Sequence, residues 1–143
     1  MIRTKEDYMK SLKEQKHRVY YRGNQIENIT QHPAFIPHIN AVAKKYELAL
    51  QPEYEDLMNA ESHLIGSKVN RFTHIHQSRE DLVKKVQMMR LLSHQTGSCF
   101  QRCVGFDALN SFYSTTFEID EKYGTPYHQR ILDYVKPKLS DFY

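Results

Sequence analysis

The chain has 143 residues and only two cysteines, Cys99 and Cys103. Their spacing is the feature of the sequence best suited to metal or redox chemistry. Four apart on a helix, their Cβ atoms would stand about 5–6 Å apart on one face, which suits two thiolates gripping one metal centre. Ser98 followed three residues later by Gln101 has the form of a capping box, and Gly97 stands in front of it as a break. The spacing therefore predicts a helix start with Cys99 in its first turn. The unspent N–H groups and dipole of a helix start favour thiolate over thiol and stabilise an anionic cluster. Two sulfurs complete neither a tetrahedral zinc site nor a four-ligand iron–sulfur site, so further ligands must come from elsewhere. His94 is the nearest internal candidate. The same spacing also serves a pair of inert buried thiols. A disulfide fits less well, because the start Met-Ile-Arg-Thr-Lys-Glu-Asp has no apolar signal core and reads as cytoplasmic, where thiols stay reduced.

His74-Ile75-His76 places two imidazoles on one side of any extended segment, yet it falls in a stretch without periodicity and reads as part of a surface loop. Net charge is +3 with 26% charged residues in mixed order, so no dense basic face for nucleic acid or membrane is written here. The apolar runs are too short to span a bilayer. Ten tyrosines and no tryptophan bring the aromatic content to 12%, which fits a wet interface as well as a structural role.

The elements that would position these groups are mostly helical, in a single domain by length. Thr4 with Asp7 caps a short surface helix from Lys5 to about Lys16, with Tyr8, Met9 and Leu12 on its apolar side. Gly23-Asn24 between Arg18–Tyr21 and Gln25–Glu27 predicts one small β-hairpin. Phe35, Ile39, Val42, Tyr46 and Ala49 keep helical spacing up to Leu50, and Pro52 opens a shorter helical turn through Met58. Residues 59–77 lose periodicity and read as an ordered loop punctuated by Gly66, Ser67 and Asn70. Ser78-Arg79-Glu80-Asp81 opens a helix to about Thr96 with Leu82, Val86 and Met89 inward. Arg90 and His94 share a face on it and point toward the cysteine turn. Cys99 to about Lys122 is apolar on nearly every side and reads as the buried core helix. Gly124 stops it, Thr125-Pro126 caps a last helix with Ile131, Leu132 and Val135, and Pro137 ends that helix after Lys136.

The runs Leu91-Leu92, Ser98-Cys99-Phe100-Gln101-Arg102-Cys103-Val104-Gly105 and Ser114-Thr115-Thr116-Phe117-Glu118-Ile119-Asp120-Glu121-Lys122-Tyr123-Gly124 closely resemble the 4-hydroxybutyryl-CoA dehydratase family, whose members also act as vinylacetyl-CoA delta-isomerases. Arg18-Val19-Tyr20, His32-Pro33, Tyr46-Glu47-Leu48-Ala49, Asp56-Leu57-Met58 and Asn70-Arg71-Phe72 are similar as well, and the likeness covers roughly residues 4 to 135. The wider group includes flavin-dependent 4-hydroxyphenylacetate 3-monooxygenases, which lack the cysteine pair, so Cys99 with Cys103 favours the dehydratase branch.

The resemblance implies a mostly α fold, a helical bundle like the N-terminal domain of acyl-CoA dehydrogenase-like flavoproteins. It implies that Cys99 and Cys103 ligate a 4Fe–4S cluster beside FAD, completed by a cysteine and a histidine from later domains, and that Arg90 and Gln101 are the polar residues able to reach the flavin. It further implies an acyl-CoA substrate dehydrated to crotonyl-CoA by radical chemistry, and a homotetramer in the full-length family. Residues 136–143 depart from the likeness, so the chain is expected to be one helical N-terminal domain, residues 1–143, of a longer enzyme and inactive alone. The competing readings are the N-terminal domain of a monooxygenase-like flavoprotein, a non-catalytic helical binding module, and a small zinc site built from Cys99, Cys103, His94 and another histidine.

Overall fold

A capping box starts the first helix, α1 (Lys5–Glu14): Asp7 N–H donates to Thr4 Oγ1 at 3.0 Å while Asp7 Oδ2 accepts from Thr4 N–H at 3.0 Å. The computed structural model describes residues 2–97 and 103–139. Strands β1 (Val19–Tyr21) and β2 (Asn24–Ile26) pair antiparallel, Val19 opposite Ile26. Arg22 and Gly23 form their two-residue turn, both with positive φ, one residue earlier than the Gly23-Asn24 turn expected. Such a turn matches the right-handed twist of the strands, which is why Gly23 is suited to it. Helix α2 (Ile36–Ala49) takes Pro37 in its first turn, where the missing N–H costs nothing. One face of α2 buries Ile39, Ala43 and Tyr46 against α1, with the Tyr8 and Tyr46 rings stacked 5.2 Å apart.

After the single helical turn α3 (Glu55–Met58), the stretch read as a loop folds into a second hairpin, β3 (Asn59–Ser62) and β4 (Ser67–Asn70), with Asn59 opposite Asn70 and Ser62 opposite Ser67. A 3-10 turn, Arg71–Thr73, follows. The inward positions of these strands are Asn59, Ser62 and Val69. Two of the three are polar, so the alternation that marks a strand is absent from the apolar residues.

Helix α4 (Arg79–Thr96) begins at the Ser78–Asp81 capping box and ends on Gly97 in the left-handed conformation, its N–H donating to Ser93 O at 2.9 Å. Its inward stripe corrects the sequence reading in part: Met88 and Leu92 are fully buried and Met89, expected inward, packs half-buried against the core, whereas Leu82 and Val86 are exposed. The stripe begins with Asp81 and Lys85, which are mostly buried in ion pairs with Arg71 and Asp107. Polar residues thus occupy the first two inward positions, and the apolar pattern points about a quarter-turn away.

The described part of α5 (Cys103–Tyr123) is also not the all-round buried helix expected. Phe106 enters the main core with Leu48, Met58, Phe72, Met88 and Leu92, but Val104 is 71% exposed and Phe112 59%. Gly124, left-handed, donates to Asp120 O and ends it. Helix α6 (Tyr127–Leu139) is capped by Asp120, whose carboxylate accepts from Tyr127 N–H, His128 N–H and the Thr125 hydroxyl. It continues through Pro137, because Val135 and Leu139 bury against Val69 of β4 and the last turn loses little by one missing N–H. Among the described residues, no helix is long and apolar enough to cross a membrane.

The face assignment of α4 can be checked by urea denaturation. Leu92→Ala is expected to cost about 2–5 kcal/mol through a core cavity, while Leu82→Ala stays within about 0.5 kcal/mol.

Candidate functional site

The cysteine segment lies between two well-anchored helices. Cys103 is the first residue of the described α5, whereas Cys99 and Gln101 lie outside the described residues. Arg90 and His94 are exposed in the last two turns of α4, one turn apart, on the side away from Met88 and Leu92. That outward side also carries the exposed apolar side chains Leu82, Val83 and Val86, and α5 adds Val104, Phe112 and Phe117.

What fixes α5 is a strap the sequence reading took for surface loop. His74 and Ile75 are 3% and 4% exposed. Asn110 clamps the strap from α5: its Oδ1 accepts His76 N–H at 2.8 Å and its Nδ2 donates to His74 O at 3.3 Å. The His76 ring stands edge-on to Phe106, centroids 4.7 Å apart, and Phe106 in turn meets Phe72 edge-on. Lys85 pairs with Asp107 on the same side of α5. So Phe106, Asp107 and Asn110, on the turns just after Cys103, are all held in place.

The other end of the strap joins an ionic network at the start of α4. Asp81 Oδ1 lies 3.2 Å from Arg71 Nη1 and 3.3 Å from His74 Nε2, while Asp81 Oδ2 accepts from Gln77 and Ser78 N–H. Burial alone would raise the Asp81 pKa, but the Gln77 N–H, His74 and Ser78 hydroxyl contacts outweigh it and hold the carboxyl down at about 2. Burial pushes the His76 imidazole below its ordinary value, helped by nearby Lys85 and His74. His63, bonded to the Tyr113 hydroxyl at 3.2 Å, is lowered by burial and by His74. The sequence reading gave Arg71 and Asn110 no role of this kind, took His74 and His76 as part of a surface loop, and saw Asp81 only in the capping-box run of α4. Asn110 is 34 residues from the backbone it clamps, and no local pattern signals such a partner.

Among the described residues, no group of three or more His, Cys, Asp or Glu is arranged to hold a metal ion. His74 and His76 therefore do not form one with any third described residue, while Cys99 lies outside the described residues.

The family model for the 4-hydroxyphenylacetate 3-hydroxylase N terminal matches residues 4–139. The chain belongs to that family. Within it, the chain is 54% identical over 136 residues to the 4-hydroxybutyryl-CoA dehydratase/vinylacetyl-CoA-Delta-isomerase of Clostridium aminobutyricum, covering 95% of this chain and 28% of that protein. It is 28% identical over 95 residues to the 4-hydroxyphenylacetate 3-monooxygenase oxygenase component of Thermus thermophilus, covering 66% of this chain and 19% of that one. Among solved structures, an oxygen-tolerant archaeal 4-hydroxybutyryl-CoA dehydratase from N. maritimus superposes with a TM-score of 0.92 at 50% identity, over 99% of this chain and 28% of its own. An oxygenase component of 4-hydroxyphenylacetate 3-monooxygenase, complexed with FAD and 4-hydroxyphenylacetate, superposes with a TM-score of 0.57 at 28% identity, over 65% of this chain and 19% of its own. The chain thus spans little more than a quarter of the dehydratases it matches. In this 4-hydroxyphenylacetate 3-hydroxylase N-terminal fold, the dehydratase relatives are the nearer branch of those compared, in both identity and superposition.

The shifted groups set a pH dependence of folding. His63 and His76 have lowered folded pKa values, so on acidification the unfolded chain takes up these protons first. Stability is full above about pH 6.5 and falls as the pH drops below it. Asp81 adds a second limb, present above about pH 4 and lost as the pH falls toward 2, worth about 2 kcal/mol. Urea unfolding followed by circular dichroism should show both limbs, with His76→Phe flattening the first and Asp81→Asn removing the second.

Proposed function

We propose that the chain is the N-terminal helical domain of a 4-hydroxybutyryl-CoA dehydratase that also isomerises vinylacetyl-CoA, a lyase and isomerase in its complete form. The observation that carries this reading is the 54% identity over 95% of the chain to a protein of that name, against 28% to a monooxygenase component. The reaction removes water from a 4-hydroxyacyl thioester to give crotonyl-CoA. It must take a hydrogen from an unactivated C3 carbon, which an ordinary side-chain base does not do. A 4Fe–4S cluster beside FAD, when bound, would supply the Lewis acidity and one-electron chemistry that the step requires.

The donor set of this chain fits half of such a cluster site. Cys99 and Cys103 provide two thiolates four residues apart, and the rest of the ligand set would come from the remaining domains. Cys103 opens α5, whose following turns are clamped by His76, Lys85 and the strap, so its backbone is held by groups that need not move during turnover. Arg90, exposed near the end of α4, and Gln101 would be the polar groups able to reach the flavin. The exposed apolar side chains of α4 and α5 are covered by the remaining domains, in a cytoplasmic homotetramer that acts on an acyl-CoA substrate without nucleic acid or membrane partners.

The test compares two samples, both handled without oxygen. The 143-residue chain alone is expected to give no crotonyl-CoA from 4-hydroxybutyryl-CoA. Joined to the remaining part of the Clostridium aminobutyricum relative, it is expected to turn over and to show iron–sulfur absorption. In the joined protein, Cys99→Ser and Cys103→Ser each lose iron and at least about a hundredfold in rate, and Arg90→Gln loses about tenfold. Turnover by the chain alone, or full iron content in the double serine variant, would overturn the proposal.

A further inference from the structure

Tyr113 of α5 is held between two histidines from different elements. His63 comes from the turn of the β3–β4 hairpin, and its Nε2 lies 3.2 Å from the Tyr113 hydroxyl, 50 residues away in sequence. His128 comes from α6, its ring at right angles to Tyr113 in a T-shaped contact with centroids 4.7 Å apart. Both histidines sit on anchored backbone. Ser62, next to His63, is 3% exposed; its carbonyl accepts Gly66 N–H at 2.8 Å and its hydroxyl accepts Leu64 N–H at 3.3 Å. His128 N–H donates to Asp120 Oδ2 at 2.7 Å, and its Nδ1 is engaged by Thr116 Oγ1 at 3.2 Å. Three elements thus fix one phenol against one imidazole.

The direction of the Tyr113–His63 hydrogen bond follows from acidity. Burial pushes the His63 imidazole below its ordinary value, so the ring is neutral at pH 7. A neutral imidazole is a stronger base than a phenol oxygen, and a phenol is a stronger acid than an imidazole N–H. The Tyr113 hydroxyl therefore donates and Nε2 accepts, with the ring proton on Nδ1.

A phenol bonded to a base in this way gives up an electron more readily than a free one. Losing the electron alone would leave a strongly acidic radical cation; with a base in contact the proton leaves in the same step, and that high-energy species is bypassed. The sequence holds ten tyrosines and no tryptophan, so the competing aromatic donors are other phenols. Tyr54 is bonded to the Glu53 carboxylate, but a carboxylate is a weaker base than imidazole by about two pKa units.

We propose that Tyr113 is a one-electron oxidation site of this domain, a sink for stray oxidising equivalents, with His63 as its proton acceptor. An outer-sphere one-electron oxidant takes an electron from the ring, the O–H bond breaks and the proton passes to His63 Nε2, leaving a neutral tyrosyl radical beside an imidazolium. A returning electron and the same proton restore the pair. The step uses neither cysteine and none of the cofactors of the function proposed above, so the two readings fail separately.

The test mixes the 143-residue chain carrying Cys99→Ser and Cys103→Ser, which removes competing thiols, with hexachloroiridate(IV) at pH 7 in a stopped-flow instrument. Parallel samples are freeze-quenched for electron paramagnetic resonance. A fast phase with a tyrosyl signal is expected, slower in D2O than in H2O. Tyr113→Phe keeps the ring and should remove both the phase and the signal. His63→Ala, at an exposed turn position, should slow the phase about a hundredfold, the low end of what a positioned base contributes. Added imidazole should restore it saturably, which replacing a merely structural histidine would not do. Circular dichroism checks that each variant keeps its helices. No fast phase, a fast phase that survives Tyr113→Phe, an unchanged rate in His63→Ala, or equal rates in D2O and H2O would each overturn the assignment.

Discussion

The buried guanidinium of Arg71 is the constraint on which most of this domain depends. A four-residue helix such as α3 cannot hold itself together: only its first carbonyl, that of Glu55, is taken up along the chain, by Asn59 N–H, and those of Asp56 and Leu57 need partners from elsewhere. Arg71 supplies them from 14 and 15 residues away: Nε bonds Leu57 O at 2.8 Å and Nη2 bonds Asp56 O at 2.9 Å. The same Nη2 reaches Asn59 O at 2.7 Å, where β3 begins. Nη1 then meets Asp81, the residue that closes the cap of α4. One planar fork thus joins three elements, a task a lysine's point charge could not perform. A buried charge contributes only where its partners are complete, and here all three nitrogens are used.

The position of α5 follows from that junction. The chain leaves Arg71 through the 3-10 turn into the His74–His76 strap, and the strap carries the hydrogen bonds from Asn110 and the ring contact to Phe106. Helix α5 is therefore set against the rest of the domain by polar contacts on its first two described turns, with Phe106 alone reaching the main core. Further along, α5 pairs with α6, and α6 returns to the β3–β4 hairpin through Val135, Leu139 and Val69. The first described turns of α5 are thereby tied to the strap and to α4.

The same distribution explains what the sequence disclosed. Both capping boxes, the glycine stops at Gly97 and Gly124 and the extent of α4 were legible because each is a local signal, settled within four residues. The resemblance to the dehydratases was legible in the cysteine segment and the run from Ser114 to Gly124. The second hairpin was not, because its inward positions are Asn59 and Ser62, buried by hydrogen bonding or charge rather than by apolar character. The inward face of α4 was misplaced for a related reason: Asp81 and Lys85 occupy core-facing positions through partners distant in sequence. Reading α5 as buried on all sides failed in the opposite sense, since an apolar surface intended for contact looks the same as one intended for a core.

That last ambiguity bears on what kind of domain this is. Helix α4 turns charged residues inward at Asp81 and Lys85 and leaves Leu82, Val83 and Val86 about half exposed on its other side. Completing the burial of each would gain about 1 kcal/mol, and Phe112 and Phe117 on α5 would gain at least as much. A domain shaped to stand alone would gain nothing from leaving such a surface open, because scattered apolar residues are ordinary but ones lined up along two helices mark a contact. The exposed row on α4 leads along the helix to Arg90, and that on α5 begins at Val104, next to Cys103. An apolar surface that runs up to Cys103 on one helix and to an exposed arginine on the other is one that protein docking from outside would close and keep dry.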